Sequence, residues 1–171
     1  KDIISNSPYT LDEQVQLEVF NYFLAELDKA YSTFNVTPMP GAEKVFLSLK
    51  AAGIKVVLNT GYNRATAEGL LNQLGWKVGS QIDLLVTASD VLHNRPKPDM
   101  ILFAKEKLNI IDAKHIIKIG DSCIDIEEGR NANCLLSIGI TTGAQTETQL
   151  MEAKPDYILH NLTALLEIIV K

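Results

Sequence analysis

The sequence predicts an α/β fold, a doubly wound parallel sheet with helices on both faces. Three observations carry this reading. Short runs rich in Ile, Val and Leu stand at 54–59, 82–86, 115–119 and 135–140, and each is the length of a buried strand. Helical patterns lie between them, two of them closed by Gly53 and Gly75, natural C-terminal caps. Strand and helix alternate along the chain, and that alternation means a parallel sheet covered on both sides. There is no internal repeat and no low-complexity segment.

The elements follow in order. Thr10 and Glu13 form a capping box ahead of Leu11, Val15, Val19, Phe20, Phe23, Leu27 and Tyr31, so a first helix is expected to run to about Ser32. The stretch 35–41, with Pro38, Pro40 and Gly41, breaks it and is the expected domain boundary. A helix over 42–52 ends at Gly53, the strand 54–59 follows, and a second helix, Arg64–Leu74, ends at Gly75. The run 82–86 reads as another short strand. Pro98 opens a helix of about eleven residues, because its missing N–H costs nothing at a helix start. A strand over 115–119, a helix to about Asn133 and a strand over 135–140 complete the next units. The tail carries one more helix, a short strand at Tyr157–Leu159 and an amphipathic terminal helix.

Composition narrows the function classes. A chain of 171 residues is normally one domain with a core large enough to fold. It is 46% apolar, without an apolar run long enough to span a membrane. The first residues are mixed and polar, without a secretory signal, so a cytoplasmic location is expected. A net charge of -5 and the lack of a dense Lys/Arg cluster argue against nucleic acid as a partner. Cys123 and Cys134 fall in one predicted helical stretch without zinc-ligand spacing, and read as small buried thiols in a reducing compartment.

Chemistry in such a sheet belongs at the C-terminal ends of the strands. At the first of these ends stands Thr60-Gly61-Tyr62-Asn63-Arg64, where the Thr60 hydroxyl and nearby backbone N–H groups can meet a phosphate. Taken alone, such a turn reads equally well as a plain helix entry. The next end is Asn94-Arg95-Pro96-Lys97-Pro98-Asp99, in which two prolines fix the backbone around a cation that can neutralise a phosphoryl oxygen. A solvated basic turn is the competing reading. The most specific element is Ile119-Gly120-Asp121-Ser122-Cys123-Ile124-Asp125, two carboxylates four residues apart at a strand end, which suit a hard divalent cation such as Mg2+. No Asp-x-Asp pair follows an apolar strand anywhere in the chain.

These three elements, in this order, resemble the haloacid dehalogenase superfamily of phosphohydrolases, whose core is a Rossmann-like sheet. The resemblance covers nearly everything after Thr37. Leu58-Asn59-Thr60-Gly61 matches the family's second motif, and places Thr60 as the phosphate-binding hydroxyl. Arg95-Pro96-Lys97-Pro98-Asp99 matches the third, usually Lys-Pro-x-Pro-Asp, with Arg95 on the cation position and Lys97 on the variable one. Gly120-Asp121-Ser122-Cys123-Ile124-Asp125 matches the fourth, with Asp121 as direct Mg2+ ligand and Asp125 as its supporting acid. Arg in place of Lys, with Asn-Thr-Gly in the second motif, looks most like the phosphonatase-like branch.

The resemblance implies a small phosphorylated substrate and an aspartyl-phosphate, whose two aspartates sit in the family's first motif, Asp-x-Asp. That motif is the departure. Residues 1–36 are therefore expected to be the C-terminal part of a helical cap, and 37–171 a core lacking its first strand, with the nucleophile upstream. The partner expected besides substrate is a second copy or a complementing N-terminal segment. A phosphosugar mutase of the same fold and a non-catalytic phosphate- or partner-binding member are the alternatives. Tyr62 and Asn63 follow Thr60 at the mouth of the site and are candidate substrate contacts. His93 is expected to be solvated, His115 and His160 structural, and Trp76 a core or cap-interface aromatic. The Glu127-Glu128 pair reads as a solvated helix face.

Overall fold

A computed structural model of the chain describes residues 12–33 and 35–169. The chain divides into two compact units, Lys1–Val36 and Thr37–Lys171. The first contributes helix α1, Glu13–Thr33. Thr10 of the expected capping box lies outside the described residues. Among those described, Asp12 starts the helix: its carboxylate accepts the Gln14 N–H at 2.8 Å and its carbonyl the Gln16 N–H at 2.9 Å. Val15, Leu17, Val19, Tyr22 and Phe23 are exposed along α1.

The second unit runs α2 (Ala42–Ala51), β1 (Val57–Thr60), α3 (Arg64–Leu74), β2 (Leu84–Thr87), α4 (Asp99–Lys107), β3 (Ile117–Gly120), α5 (Cys123–Asn131), β4 (Leu136–Ile140), α6 (Glu147–Glu152), β5 (Tyr157–Leu159) and α7 (Leu165–Ile169). Every strand pair is parallel. The ladders are β1–β2 and β3–β4–β5. Among the described residues no ladder joins β1 to β3.

Helices cover both faces, as the alternation of strand and helix predicts. On one side Val45, Phe46 and Leu49 of α2, Leu71 of α3 and Leu165 of α7 pack with Leu85, Ile138 and Ile140 of the strands. The opposite side takes the neighbouring strand residues: Val86 of β2 packs with Met100 and Ala104 of α4. Ile126 of α5 there meets Leu150 of α6. Trp76 belongs to the core, edge-on to Phe46 at 5.0 Å between ring centres, with its indole N–H on Glu43 at 3.1 Å.

Several boundaries differ from the sequence reading for identifiable reasons. The first strand begins at Val57, not Ile54. Gly53 takes φ 75° and ends α2, with the Ile54 N–H bonded back to Leu49 O at 2.9 Å, so Ile54 is spent on the helix cap. The Asp83 carboxylate then accepts the Val56 N–H at 2.9 Å and takes the place of a ladder bond. The third strand starts at Ile117, because Asp112 caps a 3-10 turn over Ala113–His115. Cys134 lies beyond α5 rather than within it, after Asn133 turns the chain at φ 58°.

Candidate active site

The turn after β1 is built by capping and anchored by one arginine. Thr60 ends the strand, and its hydroxyl oxygen accepts the Tyr62 N–H at 3.2 Å. Asn63 is the N-cap of α3, its side-chain oxygen accepting the Thr66 N–H at 2.8 Å. The candidate substrate contact Asn63 thus commits its oxygen to the helix, while Tyr62 is 37% exposed. Arg64 ties this turn to the one after β2: its guanidinium bonds the Asp90 carboxylate and, at 3.3 Å, the Leu85 carbonyl.

Arg64, followed by the Thr87 hydroxyl and N–H, outweighs desolvation and holds the Asp90 carboxyl below its ordinary range. A depressed carboxyl stabilises the fold fully above its unfolded pKa, near 3.8, and the gain is lost as pH falls through the lower folded value. Asp90→Asn in the full-length protein should therefore lower the melting temperature by about 2–4 °C at pH 7, and the gap to the unmodified protein should close below about pH 4. Melting curves between pH 7 and 3 check this; a gap that stays constant in acid would contradict it.

Arg95 lies at the centre of the next group. One terminal nitrogen donates to Asp125 Oδ1 at 2.7 Å. The other stands beside Gly61, where a Cβ would come within 2.9 Å of it. Its Nε is buried and has no hydrogen-bond partner among the described residues. Lys97 is exposed. The loop is held from both sides, by Asn131 Nδ2 donating to Pro96 O at 2.8 Å and by His93, whose Nδ1 lies 2.9 Å from Asp99 Oδ2. His93 is exposed and clamps the loop to the start of α4.

Asp121 directly follows β3 and Asp125 sits in the first turn of α5. Asp121 Oδ2 accepts the Ala144 N–H at 2.8 Å, and the loop after β4 presses so closely that a Cβ on Gly143 would lie 1.8 Å from that oxygen. Gln145 of the same loop accepts the Cys123 N–H at 2.6 Å and caps α5 from outside. The N-cap residue Ser122 instead donates its hydroxyl to Asp125 Oδ2 at 2.6 Å. Asp125 is 3% exposed. Burial alone would raise its pKa, but Lys118, then Ser122 and Arg95, outweigh it and hold the carboxyl below its ordinary range.

Three partners in this group escape the sequence reading: Asn59, Lys118 and Glu128. The Lys118 ammonium bonds Asn59 Oδ1 at 2.6 Å, Glu128 Oε2 at 2.9 Å and Asp125 Oδ1 at 3.0 Å. The Asn59 amide donates to both Glu128 oxygens at 3.0 Å. Glu128 is 0% exposed, so the expectation of a solvated Glu127-Glu128 face fails for its second member. Signals for this were present. Glu128 lies three residues after Asp125 and shares its helix face, and a lysine between Ile117 and Ile119 in a doubly covered strand must find acceptors indoors.

The remaining residues lie apart from this chemistry. His160 is within 3.2 Å of Thr141 Oγ1 and 3.9 Å of Glu147, and His115 ends its 3-10 turn. Both cysteines are free, and burial pushes the Cys134 thiol up to about 11, which makes it inert. Among the described residues no helix is long and apolar enough to cross a membrane. In the same residues no group of three or more His, Cys, Asp or Glu is gathered for a metal.

Comparison with known proteins bears on the family and the fold. Residues 4–133 match the haloacid dehalogenase-like hydrolase family. The phosphonoacetaldehyde hydrolase of Latilactobacillus sakei is 32% identical over 179 residues, covering 91% of this chain and 66% of that protein. A Bacillus cereus protein of the same name is 32% identical over 144 residues, 84% of this chain and 52% of its own. The chain therefore spans about half to two-thirds of the length of these curated relatives. Among solved structures, a phosphonoacetaldehyde hydrolase-like protein from Oleispira antarctica superposes with a TM-score of 0.80 at 23% identity, covering 96% of this chain and 68% of that one. A hydrolase from Pseudomonas syringae gives 0.79 at 20%, covering 96% and 76%. At these identities the structural likeness establishes the shared fold.

Proposed function

The chain belongs to the haloacid dehalogenase-like hydrolase family, and from that premise we propose a Mg2+-dependent phosphohydrolase that acts on a small phosphorylated metabolite through an aspartyl-phosphate. Phosphonoacetaldehyde is the first substrate to test, since relatives carry that name. The observation behind the reading is Arg95, a guanidinium beside the Gly61 turn whose buried Nε–H is unpaired among the described residues. An orphaned charged donor of this kind is accounted for by an anionic ligand, and Arg suits phosphoryl oxygens.

The carboxylates fit the cation. Asp121 keeps Oδ1 without a hydrogen-bond partner among the described residues, whereas both Asp125 oxygens are engaged by protein groups. Mg2+ binds commonly through one or two carboxylates plus waters and phosphate oxygens, so Asp121 would hold it and Asp125 support the site. When bound, the ion would neutralise charge on a phosphoryl oxygen. Thr60 would donate its hydroxyl, and Gly61 its backbone N–H, to the same group, and Tyr62 and the Asn63 side-chain N–H groups left by the cap would contact the substrate.

The nucleophile and the acid for the leaving group are assigned to an Asp-x-Asp segment outside residues 1–171, carried by a strand between β1 and β3. The carboxylate would bond phosphorus as the P–O or P–C bond breaks, and water would then release phosphate. Unit 1 is assigned to the end of a helical cap, and the second copy or N-terminal segment that completes the site to its partners. Free thiols accord with a cytoplasmic location.

The test is phosphate release by the full-length protein from phosphonoacetaldehyde and from phosphate monoesters, with Mg2+ and with chelator. No release from any of them with Mg2+ present would defeat the proposal. Gly143→Ala probes the metal ligand separately. Its methyl meets Asp121, so overpacking should cost about 1–3 kcal/mol of stability and weaken Mg2+ binding in titration calorimetry. Unchanged Mg2+ affinity in that variant would show that Asp121 does not hold the ion.

A further inference from the structure

Lys118 is 6% exposed, in the middle of β3, and its ammonium has three N–H donors. Three acceptors meet them: Asn59, Asp125 and Glu128. Room for its stem comes from Gly129 on α5, where a Cβ would lie 2.8 Å from Lys118 Cβ. A buried pair alone needs only Lys118 and Glu128, and such pairs contribute little to stability over well-packed apolar residues. The other two contacts reach the site. Asn59 directly precedes Thr60, so Lys118 ties the strand of the hydroxyl to the strand of Asp121 across an interval that no ladder spans among the described residues. Asp125 Oδ1 is divided between Lys118 and Arg95.

We propose that Lys118 is a positioning residue for the phosphoryl site: by sharing the Asp125 carboxylate and holding Asn59, it keeps the Arg95 guanidinium only partly engaged and aimed at the anion. The proposal rests on the phosphohydrolase reading above. Without Lys118, Asp125 Oδ1 would draw on Arg95 alone, and the guanidinium would turn toward the carboxylate and away from its ligand. Glu128 has a different part. It balances the lysine charge and takes the Asn59 amide, without touching Arg95.

The experiment compares Lys118→Met, Glu128→Gln and the double variant in the full-length protein. Lys118→Met alone strands the Glu128 charge and is expected to melt far lower. The double variant removes one charge of each sign, and its melting temperature should return to near that of the unmodified protein. Calorimetric binding of inorganic phosphate should nevertheless stay at least tenfold weaker in the double variant, with kcat reduced more than KM is raised. Glu128→Gln alone should keep phosphate affinity within about threefold. If the double variant regains stability, phosphate affinity and kcat together, Lys118 is merely structural and the proposal is overturned. A structure of the unmodified protein with phosphate bound is an independent check, and Lys118 released from Asp125 there would overturn it too. Absence of hydrolysis by the unmodified protein would count against the phosphohydrolase reading, while phosphate affinity would still decide the role of Lys118.

Discussion

Arg95→Ala in the full-length protein is expected to lower kcat/KM by about 10²–10³, the scale of losing one preorganised donor to a developing oxyanion, while Lys97→Ala stays within about threefold. Both cations lie in one proline-bounded turn, yet their surroundings differ. Arg95 reaches Asp125 and stands beside Gly61, whereas Lys97 is exposed. A solvated lysine is screened and contributes little at a distance. Arg95→Lys should be poorly tolerated, because a single ammonium lacks the spaced pair of nitrogens with which the fork reaches Asp125 and the Gly61 turn at once. Truncation also leaves Asp125 with Lys118 and Ser122 only, so melting temperature must be recorded beside steady-state kinetics. The opposite ranking of Arg95 and Lys97 would move the cation two residues along the turn.

What the sequence made legible was local. The Gly120-Asp121 strand end and the Pro96–Pro98 turn can be read because the residues that define each are neighbours in the chain. The alternation of strands and glycine-capped helices likewise specifies the sheet, since each cap acts within one turn. The missed parts depend on distance. Lys118 meets Asn59 across 59 residues and Asn59 meets Glu128 across 69, so no window on the chain contains the pair. Beside Glu127, Glu128 reads as solvated, though the face it shares with Asp125 points inward. Strand starts shifted for mixed causes. Gly53 and Asp112 act through local caps. The Asp83 carboxylate, one step before β2, instead reaches Val56 at the neighbouring strand end, and a tertiary contact of that sort overrides local β-propensity.

Residues 1–171 expressed alone are expected to show no Mg2+-dependent phosphatase activity and no cooperative, monomeric unfolding of the sheet. Between β1 and β3 the described residues provide no ladder, and the two halves meet through side chains. Lys118 and Asn59 join them on one face. On the other, Leu58, Ile117 and Ile119 pack on the same apolar cluster. Those contacts hold the halves together but leave the facing backbone N–H and C=O groups of β1 and β3 without strand partners. Each such group would cost about 1–3 kcal/mol where the halves close over it unpaired, and a domain has only about 5–15 kcal/mol in all. A few therefore cancel its stability unless a strand enters the interval. The entering strand would be parallel, like its neighbours, and would end beside Thr60, Arg95 and Asp121, where a nucleophile is required. Adding the upstream segment in trans should then restore both a cooperative transition and turnover, and a segment with Asp-x-Asp changed to Asn-x-Asn should restore the transition alone. Thermal unfolding with sedimentation velocity, run beside the phosphate-release assay, separates these outcomes. A sharp monomeric transition from 1–171 alone would mean that the interval is closed from within the chain, and phosphatase activity from that same protein would place its nucleophile inside these residues.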